Sequence, residues 1–256
     1  MTADTRRPPS RVDGWTRPAA RPFVLGHRGA RRRAAENTSA AFDLAMSEGA
    51  DGVELDVRLD RDGDVVVIHD ADLARVTEGR DSRRVEMVGR REIESIDVGG
   101  GERVPRLEDV LEWARRYGAR VNVELKRDVS RRALFVWKVV RLVRRDPSAG
   151  ERILISSFDP LLIAATARLL PNVPCGWLVD GRARMPGRSP LERLVGASAV
   201  HPHWSLVTKN SIASWQRDGL PVNVWTVNDV DEARRLASLG VDAIITDEPS
   251  KILAAL

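Results

Sequence analysis

From residue 23 onward, short apolar runs alternate with amphipathic stretches in about eight strand–helix units, with no long linker between them. No other feature of the chain narrows its fold so far. Strands that alternate with helices lie parallel, because each helix carries the chain back to the same end of the sheet. The apolar runs fall at 23–25, 53–59, 65–68, 121–125, 153–157, 175–179, 199–200, 222–227 and 241–246. Helical patterns fill 39–48, 107–117, 131–144, 160–170, 190–195, 210–217, 230–239 and 249–255. Thr38 or Ser39 suits the N-cap of the first helix, and Gly118 ends the second. Eight such units in roughly 250 residues predict an α/β protein, a TIM (β/α)8 barrel. A doubly wound open sheet is the runner-up. The stretch 71–106 is long for a barrel loop and is expected to form a small, polar insertion or lid over the mouth. The expected organisation is a flexible Arg/Pro-rich arm over 1–22 and a single barrel domain over 23–256.

Composition excludes several classes. The chain has 41 basic and 37 acidic residues, and the signs are mixed along it, so no nucleic-acid stripe is expected. No apolar run approaches the roughly 20 residues of a membrane span. The basic amphipathic stretch 131–145 would allow peripheral membrane contact, but an outer barrel helix explains it. Cys175 is the single cysteine, so no intrachain disulfide forms; it reads as a small apolar residue in a buried strand. The N-terminal stretch lacks an apolar signal region, and a cytoplasmic location is expected. Oligomeric state stays open.

In a TIM barrel the chemistry sits at the carboxyl ends of the strands. The polar residues fall there. GHRGARRRAAENT, residues 26–38, brings His27 and Arg28 to the end of the first strand. Glu54 and Asp56, two apart on the second strand, share a face. His69 ends the hairpin that follows. Glu124 and Lys126 close the strand at 121–125. Trp225 and Asn228 stand near the end of the run at 222–227, and Asp247 follows the last strand. Three carboxylates facing one interior repel one another, and a divalent cation relieves that repulsion. Oxygen ligands suit Mg2+ or Ca2+. Two histidines beside them suit a general acid and a general base. Arg28 and Lys126 offer donors to a phosphate. The run 31–33 reads as solvated charge. His201 and His203 have His-x-His metal spacing, but the segment reads as a loop at the pocket rim. Trp225 fits either core packing or a substrate wall.

Taken together these stretches resemble the glycerophosphodiester phosphodiesterase family. GHRG is followed by ENT, nine residues after His27. Then come GADGVELDVRLDRDG, VVVIHDADLARVTEG, VPRLEDVLEWA, VNVELK, SSFD, VNVWTVN and IITDEP, in order, covering nearly everything from residue 23. The resemblance implies a TIM barrel and a metal-dependent hydrolase that splits glycerophosphodiesters into glycerol 3-phosphate and an alcohol. It implies that His27 and His69 are the acid–base pair, and that Glu54, Asp56 and Glu124 hold one divalent cation, Mg2+ or Ca2+. It implies phosphate contacts from Arg28 and Lys126, an aromatic wall at Trp225, and support of the first loop by Glu36. Asn37 would serve the metal or phosphate environment. The partner is then a small-molecule glycerophosphodiester. The chain departs from the family in Ala35, where many members have proline, and in the basic run 31–33. A lysophospholipase D using the same site is the alternative activity. An amidohydrolase-type barrel using 201–203 and Asp247 is disfavoured by His-Arg-Gly after the first strand, and a catalytically silent phosphate-binding module by the intact set of site residues.

Overall fold

The computed structural model describes residues 13–180 and 195–256. Among these residues nine strands make one sheet: β1 Phe23–His27, β2 Gly52–Leu59, β3 Val65–Val67, β4 Arg120–Leu125, β5 Ile153–Ser157, β6 Cys175–Val179, β7 Ala199–Pro202, β8 Asn223–Val224 and β9 Ala243–Thr246. The order is β7-β6-β5-β4-β2-β1-β9-β8, with β3 paired antiparallel to β2. The other eight strands are parallel. The ends of the order meet through parallel bridges between Val200 and Val222 and between His203 and Trp225. The Val200 amide donates to the Pro221 carbonyl at 2.9 Å across this seam. The eight parallel strands therefore form the expected α/β barrel, joined at β7–β8 by bridges in place of a full ladder.

Both faces of each parallel strand are covered, so polar residues on the strands are mostly confined to the positions that build the site or make buried hydrogen bonds. On β2, Val53, Leu55 and Val57 pack outward into the main apolar cluster, while Glu54 and Asp56 alternate with them toward the barrel interior. The outer helices carry local stop and start signals. Thr38 caps the helix Ser39–Ser47, its Oγ1 accepting from the Ala41 amide at 3.3 Å. Gly118 ends Leu107–Tyr117 with φ of 66°. Asp159 and Asp229 cap Pro160–Leu169 and Val230–Leu239. The helix expected at 190–195 falls almost wholly outside the described residues. The run 222–227 is strand only at Asn223–Val224, because Trp225 turns to pair with the segment after β7. No helix among the described residues is long and apolar enough to cross a membrane.

Two segments differ from expectation. Residues 13–22 do not behave as a loose arm. Trp15, in the single turn Asp13–Trp15, is fully buried against Leu25, Leu154, Ala199 and Ile245. Arg120 donates to the Gly14 carbonyl at 3.1 and 3.0 Å, and the Arg17 amide donates to Asp242 at 3.0 Å. An open barrel end leaves an apolar floor, and one indole is large enough to cover it. Residues 1–12 lie outside the described residues. The insertion 71–106 is also less polar in effect than in composition. Leu73, Val85, Val88, Ile93 and Val104 join Val66 and Ile68 in a small core of their own.

Candidate active site

Strand register assembles the site. His27 on β1 lies beside Glu54 on β2, and Asp56 on β2 lies beside Glu124 on β4. Oxygen atoms of Glu54, Asp56 and Glu124 all lie within 4.8 Å of one another, and all three residues are buried. Lys126 Nζ stands 2.7 Å from Asp56 and 2.6 Å from Glu124. Arg28 Nε stands 3.0 Å from the other Asp56 oxygen. Asn37 donates to that same oxygen at 2.9 Å, and its carbonyl accepts the Asp56 amide at 3.3 Å. The loop after β1 holds these groups by its backbone. Arg28 and Asn37 both take left-handed conformations, with φ of 55° and 58°. Gly29, with φ of 83°, passes so close to Ala41 that a Cβ would sit 2.6 Å from that backbone. The Asn37 amide then closes onto the Arg28 carbonyl at 2.9 Å.

The electrostatics follow from burial and crowding. Burial opposes the charge of Asp56, but Lys126 and Arg28 outweigh it and hold this carboxyl well below the usual carboxylate range. Burial, then Asp56 and Glu124, pushes Glu54 well above that range. Burial also raises Glu124, with Lys126 only partly offsetting it. Lys126 resists burial because Asp56 and Glu124 keep it charged. With all three carboxylates ionised, two cations would leave one negative charge uncompensated. Three buried oxygen donors with an excess of negative charge suit a hard divalent cation, so the triad can hold a metal ion.

Each histidine is tied by one nitrogen. His27 Nδ1 lies 2.7 Å from Asp247, and His69 Nδ1 lies 2.6 Å from Asp70. The other nitrogen, Nε2, is left to exchange a proton with a group in the cavity. Burial lowers both imidazoles below their ordinary value, His27 in spite of Asp247 and His69 in spite of Asp56. They border a cavity of about 300 Å³, with Arg28 and Lys126 on its polar side and Phe158 and Trp225 on its apolar side. Trp225 takes both of the roles open to it. It packs edge-on to Phe158 at 5.5 Å and donates from Nε1 to the His201 carbonyl at 2.7 Å, while it also lines the cavity. Glu36 stands behind Arg28, 3.0 Å from its Nη1.

The favoured reading of the sequence assigned no role to Asp247 or Asp70. Asp247 is further fixed by Asn228 at 2.7 Å. The carboxylate after the last strand and the His-Asp dipeptide were visible signals, but a contact spanning 220 positions is not a local pattern. His201 and His203 do not join the triad. His201 is buried beside Asn223, and the His203 ring accepts the Ser205 amide at 3.3 Å.

Titratable imidazoles and fixed cations at the carboxyl end of a barrel, beside a cavity of small-molecule size, suit acid–base chemistry on an anionic small molecule. Residues 27–251 match the model of the Glycerophosphoryl diester phosphodiesterase family, and the chain belongs to that family. It is 32% identical over 238 residues to a glycerophosphodiester phosphodiesterase of Caldanaerobacter subterraneus subsp. tengcongensis, covering 90% of this chain and 96% of the relative. Its fold superposes on the crystal structure of a glycerophosphodiester phosphodiesterase from Agrobacterium tumefaciens with a TM-score of 0.77 and 31% identity, over 91% of this chain and 99% of that one. A phosphodiesterase of Oleispira antarctica, solved in complex with the product sn-glycerol 3-phosphate, gives a TM-score of 0.82 at 28% identity, over 92% and 96%.

Proposed function

We propose that this enzyme hydrolyses small glycerophosphodiesters to glycerol 3-phosphate and an alcohol, using His27 and His69 for proton transfer and one divalent cation held by Glu54, Asp56 and Glu124. The observation that carries the reading is the pair of carboxylate-held imidazoles bordering one cavity with the triad. One neutral imidazole accepts the proton of the nucleophile, and the other, protonated, gives a proton to the leaving alcohol oxygen. Attack by water or by the adjacent glycerol hydroxyl makes the same demand on both. Arg28 and Lys126 draw the phosphoryl oxygens in and stabilise their growing charge. Asn37 and Glu36 hold Asp56 and Arg28 in place for this. Trp225 forms an apolar wall for the glycerol carbons. When bound, the cation supplies Lewis-acid stabilisation of the phosphoryl group, and an all-oxygen donor set suits Mg2+ or Ca2+.

A lysophospholipase D activity is not favoured, since the relatives named above are phosphodiesterases and two of them carry the glycerophosphodiester name. The proposal takes residues 23–256 as one catalytic barrel, with 71–106 as its rim insertion. It places the protein in the cytoplasm, since its single buried cysteine calls for no oxidising compartment.

The test is release of glycerol 3-phosphate from glycerophosphocholine and glycerophosphoethanolamine by purified protein. It is run with Mg2+, with Ca2+ and with excess chelator, and His27→Ala is the control for contaminating activity. Chelator-sensitive release that vanishes in the variant is the expected result. Release that survives the chelator or the variant removes the metal or the histidine from the reading.

A further inference from the structure

Outside the carboxylate triad, arginines and acidic residues link His27 to His69 without a break. Asp247, 2.7 Å from His27 Nδ1, also meets Arg31, whose Nε and Nη2 donate to it at 2.6 and 3.3 Å. Arg31 Nη1 turns to Glu36 Oε2 at 3.3 Å. The other Glu36 oxygen accepts from Arg75 Nη2 at 2.6 Å, next to its contact with Arg28. Arg75 Nε then reaches Asp70 at 2.5 Å, and Asp70 holds His69 Nδ1 at 2.6 Å. Sign alternates along the links from Asp247 through Arg31, Glu36 and Arg75 to Asp70. Each of the two arginines uses different nitrogens on two different carboxylates, which lets a planar guanidinium span carboxylates set further apart than one ammonium nitrogen can join. A single surface ion pair contributes little, but shared carboxylates make each contact depend on the next.

We infer that this chain positions the two imidazoles as one unit, with Glu36 as the joint and Arg31 and Arg75 as positioning residues on either side. The inference rests on the reading that His27 and His69 transfer protons. It gives Arg31 a task beyond that of a solvated charge. It also ties the insertion 71–106 to the site, because Arg75 belongs to that segment. If each histidine were held separately, losses on the two sides would multiply. If they are held together, a break on either side loosens the same joint, and the second break adds little.

The experiment is a double-mutant cycle on the full chain, with glycerophosphocholine as substrate and metal at saturation. Arg31→Ala and Arg75→Ala are each expected to lower kcat by about tenfold, the order seen when supporting partners of a site are removed, with KM changed by less than about twofold. The double variant is expected to lose about tenfold as well, not the roughly hundredfold of independent effects. Arg75→Lys keeps the charge but offers one nitrogen, so it is expected to retain the kcat defect. A multiplicative loss in the double variant, a change confined to KM, or full recovery in Arg75→Lys overturns the inference. Should an alanine variant fail to fold, the same cycle with lysine at both positions gives the same readings. His27→Ala and His69→Ala are measured alongside. Inactive histidine variants with multiplicative arginine losses overturn the chain alone. Activity retained in either histidine variant overturns the chain together with the proton-transfer reading beneath it.

Discussion

His201 lies wholly inside the barrel at the end of β7, its Nε2 2.9 Å from the Asn223 amide nitrogen and its Nδ1 without a hydrogen-bond partner. The ring fills space that a side chain at position 176 would need: a Cβ on Gly176 would stand 2.3 Å from His201 Nε2. Burial pushes this imidazole down to about 3. An unfolded chain protonates it near its ordinary value of about 6.5, so acid favours the unfolded state. The contribution is intact above about 6.5 and is lost as pH falls toward the folded value, by about 3 kcal/mol at pH 4. Urea unfolding of the parent and of His201→Gln at pH 7 and pH 4 measures this. The parent is expected to lose more stability than the variant between the two conditions; equal losses would show that His201 takes up no proton on unfolding. The sequence could not separate His201 from His203. Two residues apart, they suit one strand face, but β7 ends at Pro202 and only the first remains in the barrel wall. The catalytic candidates were easier to read, because a motif at each strand end carries its own address in a barrel.

Among the elements, strands and helices were legible because buried parallel strands and amphipathic helices leave strong periodic marks. The segment 13–22 left no such mark. Its arginines and prolines outnumber one tryptophan, and a single anchor has no period. Trp15→Ala is expected to remove about 3–5 kcal/mol of stability, the range for a large buried aromatic. A shift of the urea midpoint with an unchanged slope would show it, and a loss under about 1 kcal/mol would mean the indole is not the floor of the barrel. The insertion's core was equally hard to see, since Leu73, Val85, Val88, Ile93 and Val104 come together from irregular spacing. Asp70 and Asp247 show the same limit at the site: their partners were visible, but the pairing is made by tertiary structure.

At the scale of the molecule, the barrel separates two tasks. Its carboxyl end gathers an excess of negative charge around the triad, and its amino end is closed by an indole. Cation binding at the first end should therefore stabilise the whole fold. Added to stripped protein, Mg2+ or Ca2+ is expected to raise stability by about 2.7 kcal/mol at a concentration 100 times its Kd. Glu54→Gln should blunt that gain, and a full gain in the variant would place the ion elsewhere. The other end bears on time as much as on stability. Trp15 leaves the ribosome before all of its neighbours Leu25, Leu154, Ala199 and Ile245. It stays without its full burial site until β9, the last strand, has been synthesised, so its burial marks the moment at which the barrel is complete.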